Sequence, residues 1–492
     1  MKKQHCESSD HFVNRRLFLQ GGAMSALGVT VAGLGSPLEA WAAAPSLQKS
    51  HKRVLMLWLA GGASQFETFD PKPDAPREIQ GEMGSIPTSL PGVRFCEGLP
   101  RVAAIANELT VVRSMTHPYP VHGVAYAVSG IPTYDPSLEA RPRDSRHWPY
   151  IGSVVDHLAR KTSTSAVPRN IALPWMLNSK TDLLVNAGPF AAFLGQAHDP
   201  VWTDYTGKGI RTVPHYTDGQ TKDFHDPFGG CTADGRFQLS EAAVPPHDVH
   251  PARLGDRLSL LDQFDRARGE IDGEARRTSF DQQREQAYSL ITSSKVRNAL
   301  DITREPIGVR ESYGMTLFGQ GCLAARRLVE AGSKFISVFW DGFGQFGNCA
   351  WDTHNNHYPR LKEYLLPGFD VAYSGLIRDF KARGLLDETL VMCISEHGRT
   401  PQIDSKPKGA GRHHWSRVYS AVFAGGGIAR GKVIGASDKI GGDVKDCPVS
   451  PKDVLATSLT LLGLDPHATV PDPQGRPMPV VGDGQSRIEM IG

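Results

Sequence analysis

The sequence predicts an α/β protein built on a doubly wound, mostly parallel sheet with helices on both faces. Two observations lead to this fold class. Several short segments are continuous apolar runs, the pattern of strands that are buried on both faces of a parallel sheet. Helical patterns separate several of these runs, and such alternation is typical of doubly wound sheets. The apolar runs span residues 53–59, 109–112, 335–339, 390–394 and 419–423.

Three helices are predicted between and after these strands. Residues 313–331 carry apolar side chains at helical spacing. A second helical pattern spans residues 361–383 and stops at Gly384, a residue type that commonly ends helices. The third spans residues 451–462 and precedes an irregular tail rich in Pro and Gly.

The length of 492 residues would by itself allow two or three domains, but large α/β enzymes often carry long insertions on one sheet. We therefore interpret residues 43–492 as a single domain. It carries a loop-rich insertion at about 132–256, which is rich in Pro, Gly, His and Asp and is expected to cap the sheet. A charged helical segment follows at about 257–301.

The charge balance and the cysteines exclude some classes of partner and site. The 54 Lys and Arg against 52 Asp and Glu give a net charge of +2, so no global field attracts nucleic acid, and we predict no nucleic-acid partner. None of the seven cysteines forms a CxxC pair that would indicate a cysteine zinc site. Six lie beyond the N-terminal segment and are candidates for disulfides, although buried thiols suit Cys322 and Cys393 equally well.

The N-terminal segment has the features of an export signal in the expected order. An arginine pair at 15–16 and a Phe-Leu pair precede a mildly apolar stretch at 21–34. That stretch is too short for a membrane span, which takes about 20 strongly apolar residues. A small-x-small pattern ends at Ala42, so cleavage is expected there or, alternatively, after Ala44.

This order resembles the twin-arginine consensus, and we predict that residues 1–42 are a twin-arginine signal peptide. The chain is then a partner of the twin-arginine translocase and works in the periplasm or otherwise outside the cytoplasm. Proteins that use this route fold before export, often around a cofactor, which is a first indication of bound metal. No later segment has the composition of a membrane span, so none is predicted in the mature chain.

Four loops carry side chains of the types that bind metals. Three follow predicted strands and one precedes the strand at 419–423, and functional groups of doubly wound sheets gather beyond the carboxyl ends of strands. A single Asp-x-His or Glu-His fragment is more often a turn or a surface pair, but the set favours a shared site. The candidates in these loops are His117, His122, Asp352, His354, His357, Glu396, His397, His413 and His414.

Mixed imidazole and carboxylate ligands suit zinc, manganese or iron better than calcium, which prefers a site made of oxygens. We therefore predict a divalent metal, with zinc or manganese favoured over calcium. Such an ion, or a pair of ions, polarises a phosphoryl or sulfuryl group and activates water. Arg399 is a candidate to bind an anionic oxygen in bidentate fashion, and a structural salt bridge is the alternative interpretation of this residue.

Short motifs occur in order along nearly the whole mature chain. They are A-G-G-A-S at 60–64, T-F-D-P-K-P at 68–73, R-S-M-T-H at 113–117, R-R-L-V-E-A-G at 326–332, W-D-T-H at 351–354, G-R-T-P at 398–401 and A-G-G-G-I at 424–428. Together they resemble the domain of unknown function 1501 family. That family is related to the alkaline phosphatase and sulfatase superfamily, so the resemblance implies a doubly wound sheet of that type with one or two metals.

The resemblance also implies two groups of metal ligands. One group would be Asp352 with His354, or alternatively with His357, completed by His414. In the other, Glu396 and His397 would take the place of an Asp-His pair. The chain departs from the family at three positions: His397 replaces the usual Phe and adds a ligand, while His413 and Glu67 stand where Asp is usual.

The position at which the superfamily carries its nucleophile is Pro120, which has no nucleophilic group. The sulfatase signature Cys-x-Pro-x-Arg is also absent from the sequence. The first strand ends in Ala-Gly-Gly, where the superfamily has a metal-binding Asp, and Thr116, His117 and His122 are candidates to replace it. Direct attack by metal-activated water is therefore the expected mechanism.

Two functions are compatible with these features. The first is an exported metal-dependent hydrolase of sulfate or phosphate esters, which takes an anionic ester as its substrate and uses His117, His122 and Arg399 as catalytic candidates. The second is an exported non-catalytic metal-binding or accessory protein with the same fold. The missing nucleophile favours the second, and the retained and added ligands favour the first.

Overall fold

A computed structural model describes residues 52–492 with gaps. The residues left out are 121, 123, 130–134, 139–140, 142–143, 145, 161–166, 178, 181–187, 211, 218–219, 226–228, 241–293, 342–349, 406–409 and 473, together with the side chains of 124, 136, 160, 212–217 and 220–225. The predicted signal peptide at 1–42, most of the predicted helical segment at 257–301 and Cys349 lie outside the described residues.

The strands are short, and most of the long ones coincide with the apolar runs. In chain order they are β1 (Arg53–Leu59), β2 (Ser85–Pro87), β3 (Arg94–Cys96), β4 (Leu109–Met115), β5 (Asn170–Leu173), β6 (Val201–Thr206), β7 (Thr212–Thr217), β8 (Gln220–His225), β9 (Arg236–Leu239), β10 (Phe335–Trp340), β11 (Thr389–Ile394), β12 (Gly398–Arg399), β13 (His414–Trp415), β14 (Tyr419–Ala424), β15 (Lys432–Ile434), β16 (Ala436–Ser437), β17 (Val444–Asp446), β18 (Thr469–Pro471) and β19 (Pro477–Pro479).

The helices in the described ranges vary from single turns to more than four turns. They are α1 (Arg77–Gln80), α2 (Pro100–Ala103), α3 (Val124–Ser129), α4 (Ile151–Arg160), α5 (Ser294–Leu300), α6 (Ile307–Ser312), α7 (Leu317–Ala331), α8 (His357–Arg360), α9 (Leu366–Ala382) and α10 (Pro451–Leu461). A π-helical turn at Leu361–Leu365 joins α8 to α9. The described part of the chain also contains six 3-10 turns, at Ala106–Glu108, Pro136–Leu138, Ala192–Leu194, Gln196–His198, Ile302–Arg304 and Ile488–Met490.

Nine strands form one sheet in the order β15-β4-β14-β11-β1-β10-β5-β6-β9. The strands from β11 through β6 run parallel to one another, and β15 is parallel to β4. Strand β14 is antiparallel to both of its neighbours, β11 and β4, and β9 is antiparallel to β6. The prediction of a mostly parallel sheet is confirmed.

Hydrophobic clusters cover both faces of this sheet, as expected for a doubly wound fold. Alternate residues of β1 point to opposite faces because side chains in a strand have a period of two. Leu55 and Leu57 belong to the cluster that includes α7 and α9, whereas Met56 and Trp58 belong to the cluster that includes α4 and α10. Burial of each such side chain contributes about 1.5–3 kcal/mol, which explains why the runs are apolar without alternation.

Two predicted helices differ from the observed ones at their first turns. The helix predicted at 313–331 begins at Leu317, because Gly314 has φ of 81° and the Thr316 side chain accepts the Gly319 N–H as an N-cap. The helix predicted at 361–383 begins with the π-helical turn, and α9 carries Pro367, which supplies no N–H to the preceding turn.

Residues 132–256, predicted as a loop-rich insertion that caps the sheet, in part belong to the sheet itself. This region contributes β5, β6 and β9 to the large sheet, as well as the β7-β8 hairpin. These strands escaped detection because β5 has only four residues and because β6 and β9 alternate between buried and more exposed positions near the sheet edge.

Five cysteines lie within the described residues, and none forms a disulfide: Cys96, Cys231, Cys322 and Cys393 are buried, and Cys447 is exposed. Burial raises the pKa of both the Cys322 and the Cys393 thiols, so these two residues fit the buried-thiol interpretation. Among the helices that the structure describes, none is sufficiently long and apolar to cross a bilayer.

Candidate metal centre

The sheet topology brings the four predicted loops to one edge. Strands β4, β10 and β11 run in the same direction, so the loops that follow them leave at a common edge. Because β14 is antiparallel to this group, the residues that precede it also lie at that edge. The loops that hold His122, Asp352, His397 and His414 therefore meet, although they are remote in sequence.

Three of the candidate ligands form a compact triangle. Asp352 Oδ1 lies 3.0 Å from His354 Nε2 and 3.2 Å from His414 Nε2, and the two imidazole nitrogens are 3.0 Å apart. Ligand atoms on one face of a tetrahedral zinc site are about 3.3 Å apart, given bonds of about 2.0 Å. The three side chains thus already have nearly the spacing that one divalent ion requires.

The second group of candidate ligands is His122, His397 and His414, whose ligand atoms also lie within 4.8 Å of one another. His414 belongs to both groups. Its Nδ1–H is 3.2 Å from the carbonyl oxygen of Pro120 and donates to it, which leaves Nε2 as the ligand atom. Because one nitrogen lone pair binds one ion, the two groups form a single centre around His414.

His397 presents a buried nitrogen without a hydrogen-bond partner. Its Nδ1–H donates to the Gly398 carbonyl at 2.9 Å, and its Nε2 has no partner among the described residues. Burial, together with the nearby positive charge of Arg399, holds the pKa of His397 well below its usual value. A neutral imidazole with a free, buried lone pair is the form that binds a metal ion.

His122 lies between two carboxylates. Its Nδ1 is 3.0 Å from Glu396 Oε1 and its Nε2 is 3.4 Å from Asp352 Oδ2. Burial alone would lower the pKa of His122, but the hydrogen bonds to Asp352 and Glu396 raise it to about 10. The imidazolium form of His122 therefore offsets part of the negative charge that the two carboxylates concentrate here.

Glu396, which was predicted to bind metal, lies behind His122 and belongs to neither candidate group. Its Oε1 accepts the Gly61 N–H at 2.7 Å and faces His122, and the side chain is fully buried. At the end of β1, a backbone N–H therefore orients this carboxylate. The sequence did not indicate this contact.

Arg399 is a positioning residue in this structure. The fully buried guanidinium donates to Asp352 Oδ1 at 2.7 Å. Its other N–H groups donate to backbone carbonyls, those of Gly61, Gly62, Trp351 and Arg412. The predicted bidentate anion site does not fit this placement, because the guanidinium is fully buried and donates to acceptors within the protein. The salt-bridge alternative fits.

Asp352 is therefore held ionised. Burial alone would raise its pKa, but the charge of Arg399 and the neighbouring imidazoles of His122, His354 and His414 hold the pKa of Asp352 well below its usual range. An ionised carboxylate is the form required of a metal ligand.

His117 does not join the centre. Its Nε2–H donates to the Glu396 backbone carbonyl at 2.6 Å, and its Nδ1 accepts the Tyr119 N–H at 3.2 Å. Burial lowers the pKa of His117 to about 4, so the ring is neutral at physiological pH. His117 was predicted to take part in catalysis, but in this structure it binds the Glu396 backbone carbonyl and so holds that segment in place.

His357, the alternative to His354, also lies elsewhere. Its Nδ1 is 2.7 Å from Thr353 Oγ1 and its Nε2 is 3.0 Å from Glu67 Oε2. Asn356, between the two histidines, has φ of 50° and lies in the left-handed region. His354 reaches the centre, whereas His357 is fully buried beside Glu67.

A surface cleft of about 760 Å³ lies next to this region but is separate from the centre. Thr116, His117 and Tyr126 line one part of it, and residues 443–446 and 448 line another. None of the candidate ligands lines this cleft. The chemistry is therefore assigned to the histidine cluster rather than to the larger cleft.

Replacing Gly62 with Ala is expected to weaken divalent metal binding by about tenfold or more. Gly62 has φ of 91°, and a Cβ there would lie 2.4 Å from His397 Nδ1, so the imidazole must move. Gly92→Ala is the matched control, because Gly92 has φ of 76° and no atom within 4 Å of the added Cβ. Zinc affinity is measured by competition with a chromophoric chelator. Parent-like affinity in Gly62→Ala would contradict the ligand role of His397.

Comparison with known proteins gives a family and remote structural similarity. The family model DUF1501, described as a protein of unknown function, matches residues 51–491. No curated protein matches the chain. Among solved structures, the chain is similar to the PsFucS1 sulfatase from Pseudoalteromonas sp. at 13% identity and a TM-score of 0.38, covering 86% of this chain and 70% of that one.

Two further solved structures have comparable similarity. The phosphonate monoester hydrolase of Agrobacterium radiobacter is 14% identical with a TM-score of 0.34, and the match covers 89% of this chain and 77% of that one. The lipoteichoic acid synthase LtaP from Listeria monocytogenes is 8% identical with a TM-score of 0.34, and the match covers 86% and 78% of the two chains.

Proposed function

This chain belongs to the DUF1501 family, and we propose that it is a metal-dependent hydrolase of sulfate or phosphate esters that acts after export. The observation that carries the proposal is the triangle of Asp352 Oδ1, His354 Nε2 and His414 Nε2, with sides of 3.0–3.2 Å. Two imidazoles and an ionised carboxylate at this spacing nearly match the ligand atoms around one tetrahedral zinc ion.

The composition of the centre supports a divalent transition metal. His122 and His397 add imidazole nitrogens to the triangle, and imidazole-rich sites favour zinc, manganese or iron over calcium. When bound, such an ion supplies Lewis acidity toward an ester oxygen and lowers the pKa of water. The protein itself fixes Asp352 through Arg399 and fixes His122 through Glu396.

Water, rather than a side chain, is the nucleophile that fits the residues present. Pro120 stands where the superfamily nucleophile is expected, and its carbonyl accepts a hydrogen bond from His414. The nearby Ser395 hydroxyl is buried and donates to the Leu59 carbonyl at 2.6 Å, so it is engaged in structure. The substrate we propose is an anionic sulfate or phosphate ester.

The function is tested on protein purified from the periplasm and freed of metal. We expect that zinc or manganese restores hydrolysis of an aryl sulfate or an aryl phosphate and that His397→Ala does not respond.

Retention of the protein in the cytoplasm when both arginines at 15–16 are changed to Lys would support the twin-arginine route. Normal export of that variant would contradict the proposed twin-arginine route.

The second candidate is an exported, non-catalytic metal-binding or accessory protein. The burial of Arg399, which leaves it unable to hold an anion, and the proline at 120 favour this candidate. The same experiment separates the two: bound metal without turnover of either class of ester supports the non-catalytic protein. Metal-dependent turnover excludes it.

A further inference from the structure

A hydrogen-bonded chain leads from the protein surface to the candidate ligand His354. The Nε2–H of His413 donates to Asp404 Oδ2 at 2.9 Å, and His413 Nδ1 lies 2.9 Å from His354 Nδ1. His354 Nε2 in turn lies 3.0 Å from both Asp352 Oδ1 and His414 Nε2. Asp404 and His413 lie outside the two candidate ligand groups.

The order of donors and acceptors along this chain favours one of the two tautomers of His354. An ionised carboxylate only accepts hydrogen bonds, so the proton of a neutral His413 lies on Nε2, facing Asp404. His413 Nδ1 is then an acceptor that favours a proton on His354 Nδ1, whereas Asp352 Oδ1 at 3.0 Å accepts a proton on His354 Nε2. With the proton on Nδ1, His354 Nε2 has a free lone pair that points at the triangle, which is the tautomer that a metal ion needs.

The backbone holds Asp404 and His413 against the His354 loop. The Asp404 N–H donates to the Gly411 carbonyl at 2.9 Å, and the Gly411 N–H donates back to the Asp404 carbonyl at 3.0 Å. A Cβ on Gly411 would lie 1.7 Å from the His354 carbonyl oxygen, so the two segments are in direct contact. The Arg412 N–H also donates to the Thr353 carbonyl at 3.2 Å.

We propose that Asp404 and His413 are positioning residues of the metal centre, which hold His354 in the tautomer that binds a divalent ion through Nε2. This inference rests on the proposed metal-dependent function and adds two residues that neither ligand group contains. Side chains that hydrogen-bond the far nitrogen of a ligating histidine commonly set its tautomer and ring orientation. The His413 side chain is 45% exposed, so its replacement leaves the core intact.

The test measures Co²⁺ affinity and the visible Co²⁺ spectrum at pH 8. We expect His413→Ala and Asp404→Ala to bind Co²⁺ about 10–100-fold more weakly than the parent and to alter the spectrum. His413→Asn, whose amide oxygen keeps an acceptor near the position of Nδ1, is expected to recover most of the affinity. His467→Ala, which replaces an exposed histidine elsewhere, is the control and is expected to match the parent.

Parent-like Co²⁺ affinity in His413→Ala overturns the inference, and parent-like affinity in Asp404→Ala removes Asp404 from it. If the parent itself binds no Co²⁺, the proposed function fails, and the tautomer decides the inference separately. Nitrogen-15 spectra of the histidine-labelled, metal-free parent and of His413→Ala report the tautomer, with the His354 signal identified by its loss in His354→Gln. A larger fraction of His354 with its proton on Nδ1 in the parent than in His413→Ala supports the inference, and equal fractions overturn it.

Discussion

Replacing His414 with Ala is expected to lower divalent metal affinity more than 100-fold, to about the level of adventitious binding. His414 is the single residue that both candidate groups share, so its loss removes a ligand from either arrangement. It also removes His414 Nε2, the third corner of the triangle that Asp352 and His354 complete. Zinc and manganese content after gel filtration, measured by mass spectrometry, gives the stoichiometry for the parent and the variant.

The control for this prediction is His467→Ala, which changes an exposed histidine that makes only a backbone hydrogen bond to Asp465. It is expected to retain the metal content of the parent. Equal metal content in His414→Ala and the parent would show that the ion is bound elsewhere and would remove the basis of the proposed function.

Replacing Arg412 with Ala is expected to lower the free energy of unfolding by about 3–5 kcal/mol, because it leaves a buried carboxylate without its counter-ion. Arg412 Nε and Nη2 lie 3.1 and 2.8 Å from Glu67 Oε1, and both side chains are fully buried. The Arg412 guanidinium also packs on the Phe66 ring at 4.4 Å and donates to backbone carbonyls. Thermal and denaturant unfolding measure the change.

The matched control is Arg417→Ala, which breaks an exposed ion pair with Asp443 and is expected to cost at most about 1 kcal/mol. If the two variants are equally stable, the buried pair contributes no more than an exposed one, and the account of this network is wrong.

The stabilisation by Glu67 also has a definite pH dependence. Burial alone would raise the pKa of Glu67, but the charges of Arg412 and His357 lower it from 4.5 to about 2. A carboxyl group whose pKa is lowered by folding stabilises the folded state at any pH above its pKa in the unfolded chain. That contribution is lost as the pH falls toward its pKa in the folded protein. The difference between the parent and Arg412→Ala is therefore expected to shrink between about pH 4.5 and pH 2.

The central strands could be predicted from the sequence because their burial on both faces forces continuous apolar runs, as at 53–59 and 390–394. Strands β5, β6 and β9 could not, because short and half-buried strands near a sheet edge share their composition with loops. The meeting of remote loops followed from the rule that parallel strands end at one edge. That rule predicts at which edge of the sheet the site lies, but it does not predict which side chains contact one another.

Which side chains of the site are candidate ligands and which are structural depends on local backbone geometry and burial that could not be predicted from the sequence. His357 was the alternative to His354, and the structure separates them: His354 contacts Asp352, whereas His357 contacts Glu67. The sequence allows Arg399 to be either an anion-binding residue or a partner in a structural salt bridge, and its complete burial favours the salt bridge. Asp404 had no signal in the sequence, since a lone aspartate in a turn is common.

The most direct test of the metal centre is anomalous diffraction from crystals grown with zinc and recorded at the zinc absorption edge. The account predicts an anomalous peak bounded by Asp352 Oδ1, His354 Nε2 and His414 Nε2, within reach of His122 or His397. A zinc-loaded crystal whose peaks all lie away from these side chains, or one with no peak, would contradict it.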